Sequence, residues 1–360
     1  MKLSALLLPL LGLCSSALAS TIGRRASLTP SVNSAAIPLS PAGGGTYPRL
    51  LNIDGAILGA FTVTNGATRT LTISKSVDGG KTYTALGAVD SSTGDMDNPN
   101  LIQLPNGNIV CTFRNHDLNS AGAYTYYRIT ACVSTDGGAT WAFLSQVDER
   151  TAAGVNGIWE PFGRVSTSNA LQVYYASENA ANDQDIIMRS STDGGATWSA
   201  ANTVAGATTT GRDGMPGCSA FSGDATKVMC VFETTEGTAP LFTVKSVVSD
   251  DDGATWGERS QVYIPTGTDN NAGSPQIVTT TGGALVVSFM TDEDTSLHNW
   301  VNGANFKIVT SASTDPAVWG QKATVAPVQS NWPGLLANSD GTIYGCADTN
   351  GVYCHLISFS

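Results

Sequence analysis

The sequence predicts an all-β fold, a six-bladed β-propeller of four-stranded antiparallel blades, on the strength of two superimposed repeats. The first is a turn present four times: Ser76-Val77-Asp78-Gly79-Gly80-Lys81-Thr82-Tyr83, Ser134-Thr135-Asp136-Gly137-Gly138-Ala139-Thr140-Trp141, Ser191-Thr192-Asp193-Gly194-Gly195-Ala196-Thr197-Trp198 and Ser249-Asp250-Asp251-Asp252-Gly253-Ala254-Thr255-Trp256. Asp78, Asp136, Asp193 and Asp251 stand 58, 57 and 58 residues apart. That interval is too long for a solenoid unit and is filled with short β-rich runs, as in a radial array of small sheets. The second repeat is a strand opening marked by proline, which tolerates a strand's first position because it has no N–H to donate.

Six such openings define the blades in order: Tyr47-Pro48-Arg49-Leu50, Asn98-Pro99-Asn100-Leu101, Glu160-Pro161-Phe162, Met215-Pro216-Gly217, Ser274-Pro275-Gln276-Ile277 and Trp332-Pro333-Gly334-Leu335. Each leads through a turn into a second apolar strand, as Leu104-Pro105-Asn106-Gly107-Asn108 leads into Ile109-Val110-Cys111-Thr112-Phe113, with Asn-Gly and Asp-Gly as hairpin signals. The four-fold turn resembles the Asp-box of sialidase-like propellers. Its chemistry is structural: Asp and Ser side chains satisfy nearby backbone N–H groups, glycine supplies positive φ, and the terminal aromatic packs into the blade. A calcium loop at Asp250-Asp251-Asp252-Gly253 is disfavoured, because the D-x-D-x-D-G spacing and the bidentate Glu are missing, so no metal and no cofactor is expected. Blade five carries a degenerate box, Ser313-Thr314-Asp315-Pro316-Ala317-Val318-Trp319, and blade six is too short for a full set of strands. An N-terminal segment around Ala35-Ala36-Ile37-Pro38-Leu39 is expected to supply the missing outer strand.

Ahead of the propeller, taken as residues 35–360, lies a secretory leader at 1–19: a basic start at Lys2, an apolar run Leu6 to Leu13, and the cleavage pattern Ala17-Leu18-Ala19. Residues 20–34 form an N-terminal segment in which Arg24-Arg25 reads either as a dibasic processing site or as an exposed pair. The expected location is extracellular, with no membrane span. Of seven cysteines, Cys14 leaves with the leader, and the other six fall into local pairs: Cys111–Cys132, Cys218–Cys230 and Cys346–Cys354, each expected to be a disulfide. A net charge of −11, with 13% charged residues, excludes nucleic acid as partner. No N-x-S/T sequon is present. A monomer with a carbohydrate partner is the expectation.

Function in such a fold sits where the innermost strands converge. The residues to read are Arg49, Asn98, Asn100, Glu160, Arg212, Asp213, Ser274, Gln276 and Trp332 near the strand starts, and Arg114, Asn115, His116, Asp117, Glu178, Glu233, Asp292 and Asp348 at second-strand ends. Glu160 in Ile158-Trp159-Glu160-Pro161-Phe162 and Glu233 in Val228-Met229-Cys230-Val231-Phe232-Glu233 interrupt apolar strands, where a charge is rarely buried without a task. Two carboxylates on one cavity are the minimum for glycoside hydrolysis, one protonating the leaving oxygen and the other attacking or activating water. The strings Gly157-Ile158-Trp159-Glu160-Pro161-Phe162, Phe113-Arg114-Asn115-His116-Asp117 and Gly214-Met215-Pro216 with Val231-Phe232-Glu233 resemble the fungal exo-1,5-α-L-arabinanases of glycoside hydrolase family 93. The resemblance implies a secreted, retaining enzyme that removes arabinobiose from linear arabinan, with Glu160 as nucleophile and Glu233 as acid/base. Arg49, Asn98, Arg114, Asn115, His116, Asp117, Trp159, Arg212, Ser274 and Trp332 are the candidate substrate contacts, since sugar hydroxyls need fixed donors, acceptors and platforms. His116 as a structural histidine, and either Trp as core packing, are the bland alternatives.

Two other functions compete. A sialidase needs three arginines on a carboxylate and a Tyr nucleophile paired with a Glu. Arg49, Arg114 and Arg212 are available for it, but Tyr47-Pro48-Arg49-Leu50 inverts the usual Arg-Ile-Pro order and no arginine follows Arg259. A non-catalytic glycan-binding propeller would hold Glu160 and Glu233 too far apart to act on one bond. Exo action needs a wall, for which Leu118 to Tyr127, or Asp292 to Asn305 with His298 and Trp300, are the candidate loops.

Overall fold

The computed structural model describes residues 28–296, 299–312 and 318–360. The leader, Arg24-Arg25, His298 and most of the degenerate blade-five box lie outside the described residues. All regular structure is β, in six antiparallel sheets. Their innermost strands are Thr46–Ile53, Asp95–Gln103, Ile158–Val165, Gly214–Phe221, Ala272–Thr279 and Asn331–Ala337. Each contacts the innermost strand of the blade on either side, the sixth meeting the first, so the ring is closed about an axis. The apolar core is divided among the blade interfaces: Leu58, Ile73, Met96 and Phe113 join blades one and two, and Val286, Phe306, Ile343 and Ile357 join five and six. Blade six is completed from the N-terminus, where Pro30–Val32 and Ile37–Pro38 both pair with Val352–Phe359. The N-terminal contribution therefore lies on both sides of Ala35.

All four Asp-boxes have the same internal geometry. In the second, Ser134 Oγ donates to Asp136 Oδ1 (2.8 Å) and accepts the Gly138 N–H (2.8 Å), while the Thr140 N–H and hydroxyl both donate to the Asp136 carboxylate. The carboxylates are consumed by their own turns.

The prolines do not open their strands, as position alone suggested. They stand three to five residues in, each at a register shift, and the residue before each has a left-handed backbone: Tyr47 (φ 50°), Asn98 (56°), Glu160 (47°), Met215 (50°), Ser274 (50°) and Trp332 (53°). A bulge re-aims a side chain and frees backbone groups from the ladder. Non-glycine residues in this region cost roughly 1–3 kcal/mol each, held in place by the surrounding ring.

Two of the three expected disulfides are present, Cys218–Cys230 and Cys346–Cys354. The third is absent. Cys111 and Cys132 are directly opposed across their ladder but remain thiols, packed in the core between blades one and two. Burial pushes the Cys132 thiol up to about 12 and that of Cys111 well above its usual value.

Candidate active site

Glu160, at the blade-three corner, and Glu233, near the end of the second strand of blade four (Asp224–Thr234), open into one cavity of about 250 Å³. Arg114, Trp159, Gln184, Arg212 and Phe242 complete its lining. Each glutamate is also held by the corner of the following blade. The Met215 N–H donates to Glu160, and the Ser274 N–H donates to Glu233 Oε2 at 2.7 Å. Those N–H groups are available because the bulges release them from the sheet.

Burial raises both carboxyls. Burial pushes the Glu160 carboxyl up to about 7; Arg114, the Met215 N–H and Arg212 oppose the rise and Glu178 adds to it. Burial also raises Glu233, to about 8, and the charge of Glu160 adds to it against the Ser274 N–H and Arg212. Both arginines are fixed from behind. Arg114 Nη2 donates to Asp95 (3.0 Å) and lies 5.6 Å from the Trp159 ring, while Arg212 Nη2 donates to Glu178 (2.9 Å) and Gln184 (2.9 Å). Glycine is required at two contacts: a Cβ on Gly273 would stand 2.3 Å from Glu233 Oε2, and one on Gly157 would stand 2.4 Å from the Trp159 indole.

The remaining candidates fall outside this cavity. His116 is fully buried, edge-on to Tyr124, Tyr127 and Trp159; its Nδ1 accepts the Arg128 N–H (3.1 Å), and burial with Arg114 nearby pushes it down to about 3. It is a neutral structural histidine. Asp117 is exposed and paired with Arg128 (2.6 Å), and half-buried Asn115 does not line the cavity. Asn98 and Ser274 are buried corner residues, Ser274 serving through its main chain. Trp332 stacks on Tyr47, centroids 4.7 Å apart. Arg49 lines a different axial cavity together with Asn100 and Gln276. Asp213 is locked by both Nη atoms of Arg259 (2.8 and 2.9 Å), Asp292 accepts the Asn271 N–H (2.7 Å), and Asp348 accepts that of Gly351 (3.3 Å). Three site residues escaped the sequence reading: Gln184, Phe242 and Tyr47, whose phenol feels the charges of Arg114, Asp97, Glu160 and Glu233. Tyr47 had a usable signal, since it precedes its proline as Glu160 does; Gln184 and Phe242 had none.

No protein-family model matches the chain, and no curated protein matches it by sequence. Solved structures do. A family 93 α-L-arabinofuranosidase of Fusarium graminearum, in complex with arabinobiose, superposes with a TM-score of 0.70 at 22% identity, over 90% of this chain and 96% of that one. An α-L-arabinanase of Penicillium chrysogenum, also complexed with arabinobiose, gives 0.66 at 18% identity over 91% and 98%. A sialidase from Streptococcus pneumoniae gives 0.57 at 10% over 88% and 68%. The chain thus shares the propeller fold of the family 93 arabinofuranosidase, the arabinanase and the sialidase.

Proposed function

We propose that the protein is a secreted, retaining exo-α-1,5-L-arabinanase that releases arabinobiose from linear arabinan and works as a monomer. The observation that carries the reading is one cavity holding two buried glutamates, both raised by that burial, between two anchored arginines. The group that loses its proton first suits attack, and the one that keeps it suits donation to the leaving oxygen. In the roles that the sequence resemblance implies, Glu160 attacks the anomeric carbon while Glu233 protonates the departing sugar. Glu233, now a carboxylate, then takes a proton from the water that hydrolyses the glycosyl ester, and Glu160 leaves. Retention by this route calls for carboxyl groups ~5–5.5 Å apart. Arg114 and Arg212 favour the anionic nucleophile, and Trp159 and Phe242 offer apolar faces for the sugar rings. Trp300, stacked on Phe242 with centroids 6.1 Å apart and lying over Gly273, is the wall that limits the product to a disaccharide.

The sialidase alternative is disfavoured by the arginines: Arg114 is tied to Asp95, which it shares with Arg69, Arg212 is tied to Glu178, and Arg49 is in another cavity. Incubation with linear arabinan and with sialyl-lactose tests the reading. Arabinobiose as the first product, with sialyl-lactose untouched, is the expected result. A ladder of long oligosaccharides would overturn the exo assignment, and inertness toward both substrates would leave a glycan-binding propeller. N-terminal sequencing of the protein recovered from culture medium tests the leader.

A further inference from the structure

A second cavity, of about 200 Å³, lies on the axis further along the innermost strands, and every one of the six blades contributes to its wall. Its lining contains neither glutamate of the active site and no carboxylate at all. Its wall mixes polar groups with the apolar side chains of Leu50, Phe162, Ile277 and Leu335, and one cation enters it, Arg49. Arg49 is only 8% exposed. Its Nη1 donates to the carbonyls of Pro48 (2.8 Å), Trp332 (3.2 Å) and Pro333 (3.1 Å), while Nε and Nη2 have no partner among the described residues. Asp97 reaches Arg49 only through its field. That carboxylate accepts from Thr62 and the Asn98 N–H and lies 3.5 Å from Arg69 and 3.8 Å from Arg114. Burial pushes the guanidinium down to about 10, which leaves it charged at neutral pH.

A buried cation without a paired anion is costly, and guanidinium nitrogens have no role other than donation. Asn100 points the same way: its Oδ1 is occupied by the Gly163 N–H (2.9 Å), which leaves the Nδ2 donors for the cavity. Gln276 Nε2 donates to the Pro216 carbonyl (3.4 Å). We propose that this axial chamber binds a small monovalent anion, a halide or a formate-sized carboxylate, held by Arg49 Nε and Nη2 and by Asn100 Nδ2. One positive charge selects a monovalent ion over a phosphate or sulfate.

The test is thermal unfolding at fixed ionic strength while a bulky organic sulfonate is replaced by chloride, bromide or formate. The midpoint is expected to rise by a few degrees with the logarithm of the small anion's concentration, as mass action requires. A response to chloride and bromide alone assigns a halide; a response to formate as well assigns a carboxylate. Arg49→Met should abolish the dependence. Should that variant fail to fold, crystals of the unaltered protein in bromide decide, an anomalous peak beside the Arg49 guanidinium being expected. An unfolding midpoint indifferent to the anion's identity, or bromide peaks only on the outer surface, would overturn the proposal. Neither result bears on the arabinanase reading, whose cavity is separate.

Discussion

Glu160 and Glu233 illustrate how a single residue's surroundings set its task. Both are raised by burial, and each is held by the N–H of the next blade's corner. Glu160→Gln should abolish turnover of every substrate, because no nucleophile remains. Glu233→Ala should lower turnover of arabinan by about 10²–10⁴-fold and largely spare aryl glycosides, whose leaving group needs no proton. Steady-state kinetics on both substrate types checks this, and equal losses on both in the Glu233 variant would remove the acid/base assignment. A carboxyl whose folded pKa lies above its unfolded value binds protons more tightly when folded, so its contribution is present at low pH and is lost as pH rises toward the folded pKa. For Glu233 that window runs from about 4.5 to about 8. Glu233→Gln should therefore melt higher than the unaltered protein, and the gap should widen from pH 5 to pH 8 in calorimetry. Both glutamates were legible in the sequence because each breaks an apolar strand. Arg49 was misleading because it follows its proline where Glu160 precedes one, and the bulge between these positions sends them to different cavities. Phe242 and Gln184 carry no repeat signal, and only the closed ring brings them to the axis.

Among the elements, the Asp-box and the proline corner have opposite legibility. Most of the box's bonding is legible, since Ser, Asp, Gly and the terminal aromatic each have one evident use in a turn, although the Thr hydroxyl's bond to the Asp is not. The corner can be counted but not understood from sequence: proline reads as a strand's start, whereas it follows a left-handed residue within the strand. Bulges depend on the pairing partner, which local sequence does not contain. The same limit applies to the cysteines. Spacing pairs all six, yet Cys111 and Cys132, opposed in the core between blades one and two, are not bonded. Within the box, Ser134 is the buried centre, both donor to Asp136 and acceptor from Gly138. Ser134→Ala should leave the Gly138 N–H unpaired and cost about 1–3 kcal/mol, measured by urea denaturation. A neutral result would show that the turn survives on glycine and Asp136 alone.

For the molecule as a whole, closure rests on two short N-terminal strands paired with the last strand of the chain. Val32 and Ile37 are each half-buried there, worth roughly 1–2 kcal/mol apiece in apolar burial. A protein beginning at Leu39 should thus lose about 2–4 kcal/mol and melt less cooperatively; an unchanged melting curve would mean that blade interfaces alone close the ring. Blade number and order were legible because each repeat carries its own marker, while the axial cavities were not, since they belong to no single repeat. The six left-handed corners carry a further consequence. The backbone takes the same shape at Tyr47, Asn98, Glu160, Met215, Ser274 and Trp332 whatever the side chain, so scaffold and reactivity are specified separately. Each corner is a socket whose occupant can be exchanged without renegotiating the frame, and only Glu160 fills its socket with a carboxylate. Moving an acid to the socket of Met215 or Ser274 would relocate chemistry around the axis by a single codon, a route by which one ring can come to act on differently shaped sugars.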